Sequence, residues 1–172
     1  MKHPSPTPRL AFRLWRVDDL DLAQGLWGDP RVAALISARG HFDVGEVSAM
    51  LQGHIESQVE HGIQYWPMFH RESGAHVGCA GLRPHDLEKN VVEFGVHLRP
   101  AHWGLGFARE AAQSVLEHAF EVYGASAVFA GHHPDNQSSK KMLVGLGFRY
   151  TEHALYPPTG RMHPGYVIKS PG

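Results

Sequence analysis

The sequence predicts a mixed α/β fold, with a mostly antiparallel central sheet and helices on both faces. Apolar residues alternate with a period of two in several short stretches, the mark of half-buried strands. Between residues 64 and 99 three such stretches follow one another with short links, which predicts an antiparallel meander. A strand–helix–strand unit comes next; it needs a crossover, which can set two strands of the sheet parallel.

Leu10 to Arg16 is the first expected strand, with Leu10, Phe12 and Leu14 alternating. Asp18 or Asp19 can cap a short helix carrying Leu20, Leu22, Ala23, Leu26 and Trp27, broken by Gly28-Asp29-Pro30. Val32 to Ile36 reads as a second short helix. Asp43 caps a longer one, in which Val47, Met50, Leu51, Ile55 and Val59 recur at helical spacing until Gly62 stops it. Strands follow at Gln64–Arg71, His76–Arg83 and Asn90–Arg99, with Ser73-Gly74 as a hairpin turn. In the third, Val92, Phe94, Val96 and Leu98 share one face, and Glu93, Gly95 and His97 the other. From Gly106 a strong helix carries Ala108, Ala111, Ala112, Val115, Leu116, Ala119, Phe120 and Tyr123 as one apolar stripe, ending at Gly124. Ala127–Ala130 is a short buried strand, Asn136–Leu146 a helix closed by Gly147, and Phe148–Tyr156 a strand. Pro157-Pro158-Thr159-Gly160 is a loop before a last strand at Gly165–Lys169.

A chain of 172 residues, 42% hydrophobic and 19% charged, fits one soluble domain with a real core, expected over residues 10–172. Residues 1–9 are polar and broken by Pro4, Pro6 and Pro8, and read as a flexible N-terminal arm rather than a secretory signal. No apolar run approaches the roughly 18 residues of a membrane span. A net charge of −1 argues against broad binding to nucleic acid or an anionic membrane, though not against one anionic ligand held locally. The lone Cys79 lies in an apolar run and reads as a small core residue; a cytoplasmic setting fits it. Fourteen histidines imply a charge that climbs as pH falls through about 6.5. The adjacent His132-His133 pair reads as a loop feature, since no Cys or acidic ligand set completes a metal site there.

Chemistry concentrates in Leu98-Arg99-Pro100-Ala101-His102-Trp103-Gly104-Leu105-Gly106-Phe107-Ala108-Arg109-Glu110-Ala111. A strand ends, a glycine-rich turn follows, and a long helix starts. Glycines allow close backbone approach to a ligand. The first N–H groups of a helix lack internal partners and, with the helix dipole, suit a phosphate or pyrophosphate. No Gly-Lys-Ser/Thr ending makes it a P-loop, and no full Gly-x-Gly-x-x-Gly makes it a dinucleotide fingerprint. By itself the turn has a plain connecting role as its rival account.

The stretch resembles the acetyl-CoA motif of GCN5-related N-acetyltransferases, the GNAT family, usually Gln/Arg-x-x-Gly-x-Gly/Ala. Here the frame is Trp103-Gly104-Leu105-Gly106-Phe107-Ala108, and Trp at the first position, with Arg109-Glu110-Ala111 after it, is similar to the RimJ/RimL-like branch. Glu93-Phe94-Gly95-Val96-His97-Leu98-Arg99-Pro100 resembles that family's preceding strand. Asn136-Gln137-Ser138-Ser139 resembles its following helix start, and Leu146-Gly147-Phe148 its helix-to-strand turn. The likeness runs from Leu10 to about Lys169 and is sharpest between Glu93 and Phe148.

The resemblance implies a GNAT-like sheet with an acetyl-CoA cleft between splayed central strands. It implies an N-acetyltransferase that moves acetyl from acetyl-CoA to a primary amine, a protein N-terminus or a small molecule, by direct attack in a ternary complex. Pyrophosphate would rest on backbone N–H groups from Gly104 through Leu105, Gly106, Phe107 and Ala108 to Arg109, beside Trp103. The pantetheine arm would run along Val96, His97 and Leu98, whose backbone can stabilise the thioester oxygen. Asn136 is either a coenzyme contact or a helix cap. Ser139 is either the matched hydroxyl near the coenzyme sulfur, able to protonate the leaving thiolate, or an ordinary first-turn helix residue. Lys140 and Lys141 are candidate phosphate contacts, with a solvated helix charge as the competing account for at least one of them. Glu93 is the candidate base; the competing account pairs it across the sheet with an arginine. His97, with the same facing and an unperturbed pKa suited to proton transfer, and Tyr156, as an alternative proton donor, are further candidates; the blander accounts are a surface or packing histidine and a strand-end aromatic. Trp27, His41, Phe42, Trp66, Tyr156 and Met162 are candidates for the acceptor pocket. No metal is implied. The expected partners are acetyl-CoA and an amine acceptor, with a homodimer left open. The rival readings are a non-catalytic acyl-CoA-binding module and a histidine-rich metal-binding or interaction protein.

Overall fold

The computed structural model describes residues 1–172. Its strands are β1 (Leu10–Phe12), β2 (Tyr65–His70), β3 (His76–Asp86), β4 (Val91–Leu98), β5 (Ala127–Gly131), β6 (Arg149–Tyr156) and β7 (Arg161–Lys169). Its helices are α1 (Leu20–Trp27), α2 (Pro30–Ala33), α3 (Val44–His61), α4 (Phe107–Glu117) and α5 (Gln137–Gly145). One seven-stranded sheet runs in the order β1-β2-β3-β4-β5-β7-β6. β2, β3 and β4 form the antiparallel meander, and β4 and β5 are the parallel pair. β7 inserts between β5 and β6, antiparallel to both.

Local chemistry accounts for most element ends. Asp43 and Glu46 make a reciprocal capping box at the start of α3, and Gly62 ends it in the left-handed conformation at φ 74°. Gly124 at φ 80° stops the helical segment after α4, whose last turn widens into a π-helix over His118–Tyr123. The first strand is shorter than the expected Leu10–Arg16. After Phe12↔Met68 the next partner would be Pro67, whose missing N–H cannot return the bond that Arg13 N–H donates to its carbonyl. The Arg13 side chain then binds both carboxylate oxygens of Asp19, at 2.7 and 2.9 Å, so Asp19 holds Arg13 rather than capping α1. The second helix forms earlier than expected, because Pro30 pre-sets its first turn and Asp29 accepts from Arg31 N–H. The last strand begins at Arg161, four residues ahead of the expected Gly165, because the Pro157–Gly160 turn closes a long hairpin with β6.

Strand alternation sends side chains to two apolar layers. One contains Trp66, Leu82, Val92 and Phe94 from the sheet, packed against Phe107, Ala111, Val115 and Leu143 of α4 and α5. The other packs Tyr65 and Cys79 against Trp27, Val47 and Leu51 of α1 and α3. Helices therefore cover both faces, and Cys79 is a buried core thiol. Residues 1–9, expected as a flexible arm, lie along α4. The Ser114 hydroxyl donates to the Ser5 carbonyl at 2.6 Å, and the Thr7 hydroxyl donates to Glu110 at 2.6 Å. No helix is long and apolar enough to cross a membrane.

Candidate active site

β4 and β5 pair over only three positions, ending at Glu93↔Phe129. β4 runs on to Leu98, while β5, paired with β7 along its other edge from Ala127 to Gly131, continues past Phe129 without β4. The strands part there, and the edge of β4 from Phe94 to Leu98 has no strand partner on that side. A cleft of about 890 Å³ occupies the fork.

The glycine turn forms one end of it. Gly104 and Gly106 both take the left-handed conformation, at φ 73° and 81°. The first backbone bond of α4 is Glu110 N–H to the Gly106 carbonyl at 3.2 Å, so the N–H groups from Gly104 to Arg109 have no backbone acceptor. A methyl group built on Gly104 would meet nothing within 4 Å, so open space lies before the turn. The Trp103 indole donates to the Leu98 carbonyl at 2.9 Å and ties the turn to the end of β4. Val96, His97, Leu98, Trp103, Gly104, Gly106, Phe107, Ala108 and Arg109 all line the cleft. Leu105 does not: its side chain is exposed, and its carbonyl accepts from Arg9 Nη1 at 3.0 Å. The Arg109 side chain reaches over to the Gly145 carbonyl.

Asn136 and Ser139 enter from α5 and line the same cleft. Asn136 Oδ1 accepts from Ser139 N–H at 3.0 Å, which makes Asn136 the helix cap. Lys140 and Lys141 are exposed and lie outside the cleft lining.

Glu93 sits at the crotch of the fork, directly opposite Arg83 of β3. Arg83 Nη2 donates to Glu93 Oε1 at 2.5 Å, and His85 Nδ1 lies 3.6 Å from Glu93 Oε2. The cross-sheet arginine pair is thus present, and it is inside the cleft rather than away from it. The His85 ring stacks on Phe129 at 4.3 Å with 9° between planes. Arg83, His85 and Phe129 escaped the sequence reading. His85 lies beyond the expected strand end at Arg83. Strand register, which brings Arg83 to Glu93, follows from the turn and the irregularity near Pro84, which periodicity does not show. Of the expected acceptor-pocket residues only Tyr156 lines the cleft. Trp27 and Trp66 are fully buried core residues, and His41, Phe42 and Met162 lie elsewhere.

His97 turns its ring into the α1 side, where Trp27 Nε1 donates to Nδ1 at 3.0 Å. Burial, then the neighbouring His54 and Arg83, push its pKa down to about 3, so the ring is a neutral hydrogen-bond acceptor. No group of three or more His, Cys, Asp or Glu side chains converges as a metal site.

The family model for the acetyltransferase (GNAT) domain matches residues 9–149. An uncharacterized N-acetyltransferase of Bacillus licheniformis, p20, is 29% identical over 143 residues, covering 83% of this chain and 80% of that protein. A GNAT-family acetyltransferase from Bacillus anthracis superposes with a TM-score of 0.82 at 19% identity, over 97% of this chain and 98% of that one. A spermidine N-acetyltransferase from Vibrio cholerae, solved with CoA and spermine, superposes with a TM-score of 0.79 at 17% identity, over 94% and 96% of the two chains. RimL, a ribosomal L7/L12 α-N-protein acetyltransferase solved with coenzyme A, gives 0.82 at 13% identity, over 96% and 97%. At these identities the solved structures speak for the fold.

Proposed function

The chain belongs to the GNAT acetyltransferase family, and from that premise we propose that residues 10–172 act as one domain that moves an acetyl group from acetyl-CoA to a primary amine. The observation that carries this reading is the fork: a free strand edge on β4, a row of unpartnered N–H groups at its far end, and a carboxylate at its crotch. These features fit the coenzyme. The Gly104–Arg109 amides suit a diphosphate, and the Val96–Leu98 edge suits an amide-bearing arm laid alongside as an extra strand.

Acetyl-CoA supplies an activated acetyl thioester. The acceptor nitrogen attacks its carbonyl carbon directly, a C–N bond forms, and the C–S bond breaks. Glu93 accepts the proton that the amine loses, directly or through a water. The Ser139 hydroxyl donates a proton to the departing thiolate as it regains one from solvent, and Glu93 returns its proton to solvent, so the net reaction is amine plus acetyl-CoA to amide plus free coenzyme thiol. Backbone N–H groups of β4 stabilise the carbonyl oxygen as charge grows on it. The Trp103 sequence frame supports a place near the RimJ/RimL-like branch.

The test is calorimetric titration with coenzyme A, followed by thiol release from acetyl-CoA across a panel of amines. Micromolar binding and amine-dependent release are expected. Binding without release for any amine would leave a CoA-binding module in place of an enzyme, and absence of both would remove the reading.

A further inference from the structure

The charge balance of the cleft points to the chemistry of the acceptor. Only two acidic residues line it, Glu93 and Asp135. Each already faces an arginine: Arg83 Nη2 on Glu93, and Arg161 Nη1 on Asp135 at 2.7 Å. A polycationic acceptor needs surplus negative charge, and the cleft offers none.

Arg83 is the unusual partner. It is half-exposed to the cleft, and its Nε and Nη1 donate to nothing in the chain. A guanidinium is always charged and presents donors in a planar fork that fits a carboxylate. Glu93, by contrast, is mostly covered, with His85 beside its second oxygen. The crotch of the fork therefore presents one anion and one cation with spare donors, side by side, where β4 and β5 separate.

Resting on the acetyl-transfer reading above, we propose that the acceptor is a small amine that also carries a carboxylate, its ammonium meeting Glu93 and its carboxylate meeting Arg83. Such a zwitterion replaces the internal ion pair with two intermolecular ones. Its carboxylate takes the guanidinium, and Glu93 is released to receive the amine proton. The flat His85–Phe129 stack forms an adjoining wall. The bound ammonium first passes one proton through Glu93 to solvent, and the neutral amine then attacks. C–N forms as C–S breaks, and the second amine proton goes to Glu93 while the departing thiolate takes up one proton.

The test measures kcat/KM for free amino acids, their carboxamides and spermidine, using thiol release by the full chain, with coenzyme A affinity determined in parallel. The free acids are expected to exceed their amides by tenfold or more, mainly through KM. An amide's amine is the less basic of the two, which favours the amide, so amine basicity cannot produce that ratio. Arg83→Gln is expected to bring the ratio toward one, and Arg83→Lys to retain part of it. Should either variant fail to fold, the wild-type ratio decides alone. Equal rates for acids and amides, spermidine preferred over every acid, or turnover of no carboxylated amine each overturns the proposal while coenzyme binding persists. Loss of coenzyme binding in the wild-type chain overturns the acetyl-transfer reading with it.

Discussion

Arg9 donates through Nε to Glu110 Oε2 at 2.7 Å and through Nη1 to the Leu105 carbonyl at 3.0 Å, so one side chain from the N-terminal arm braces both the turn and the first turn of α4. Its guanidinium also lies 4.2 Å from the Phe107 ring centroid. Glu110 is held further by Thr7 and by Arg9 N–H, and these bonds keep its carboxyl below the usual range against the opposing effect of burial. Arg9→Met is expected to weaken coenzyme A binding by about tenfold, on the scale of one charged hydrogen bond. KM for acetyl-CoA should rise while kcat changes little, and Arg9→Lys should recover part of the loss. Calorimetry and steady-state kinetics check this; unchanged affinity in Arg9→Met would separate the brace from the binding turn.

Gly104→Val places a branched side chain at φ 73° and into the space before the free amides. Coenzyme affinity is expected to fall at least tenfold, with strain of about 1–2 kcal/mol from the left-handed backbone. Calorimetry, with circular dichroism as the folding check, reads the outcome.

Glu93→Gln removes the proton acceptor and keeps the shape of the Arg83 contact. A fall in kcat of roughly a hundredfold is expected, with coenzyme affinity unchanged, on the usual scale of a positioned base. A kcat within a few-fold of wild type would assign Glu93 to the ion pair alone.

Asn136→Ala removes the bond from Ser139 N–H and should cost about 1 kcal/mol, a fall in melting temperature of about 2–4 °C. Asn136→Asp keeps a capping oxygen and should restore stability. Coenzyme affinity measured on the Asp variant then reports any contact Asn136 makes beyond the cap.

His76 and His118 are buried, and both have pKa values pushed down to about 4 from 6.5. Burial is the main cause, followed by Arg99 for His76 and by the N-terminal ammonium for His118. The folded state holds them neutral, whereas the unfolded chain protonates them near 6.5, so the unfolded state binds more protons between the two values. Their contribution to stability is complete above about pH 6.5 and is lost as pH falls toward 4, by up to about 1.4 kcal/mol per pH unit for each group. Urea midpoints should be level from pH 8 to 7 and fall steadily from 6.5 to 5. A flat profile down to pH 5 would contradict the burial of these rings as neutral groups.

Local signals in the sequence were sufficient wherever the cause is local. Asp43 with Glu46, Gly62 and Gly124 mark helix ends because capping and left-handed stops involve residues a few positions apart. Alternation in Val92, Phe94, Val96 and Leu98 fixed their face, and the Trp103–Arg109 motif located the turn. Ends set by a distant partner were not legible: β1 stops where it meets Pro67, and β7 lengthens because it pairs with β6.

The sequence alone determined the order of elements, the family resemblance and the strand-to-helix turn, because each is written in neighbouring residues. Only the tertiary structure decided that Glu93 faces Arg83, that Arg9 braces the turn, and that Trp27 and Trp66 belong to the core rather than the cleft. Those outcomes depend on strand register and on contacts between residues up to about a hundred positions apart, which sheet pairing selects and no short stretch of chain encodes.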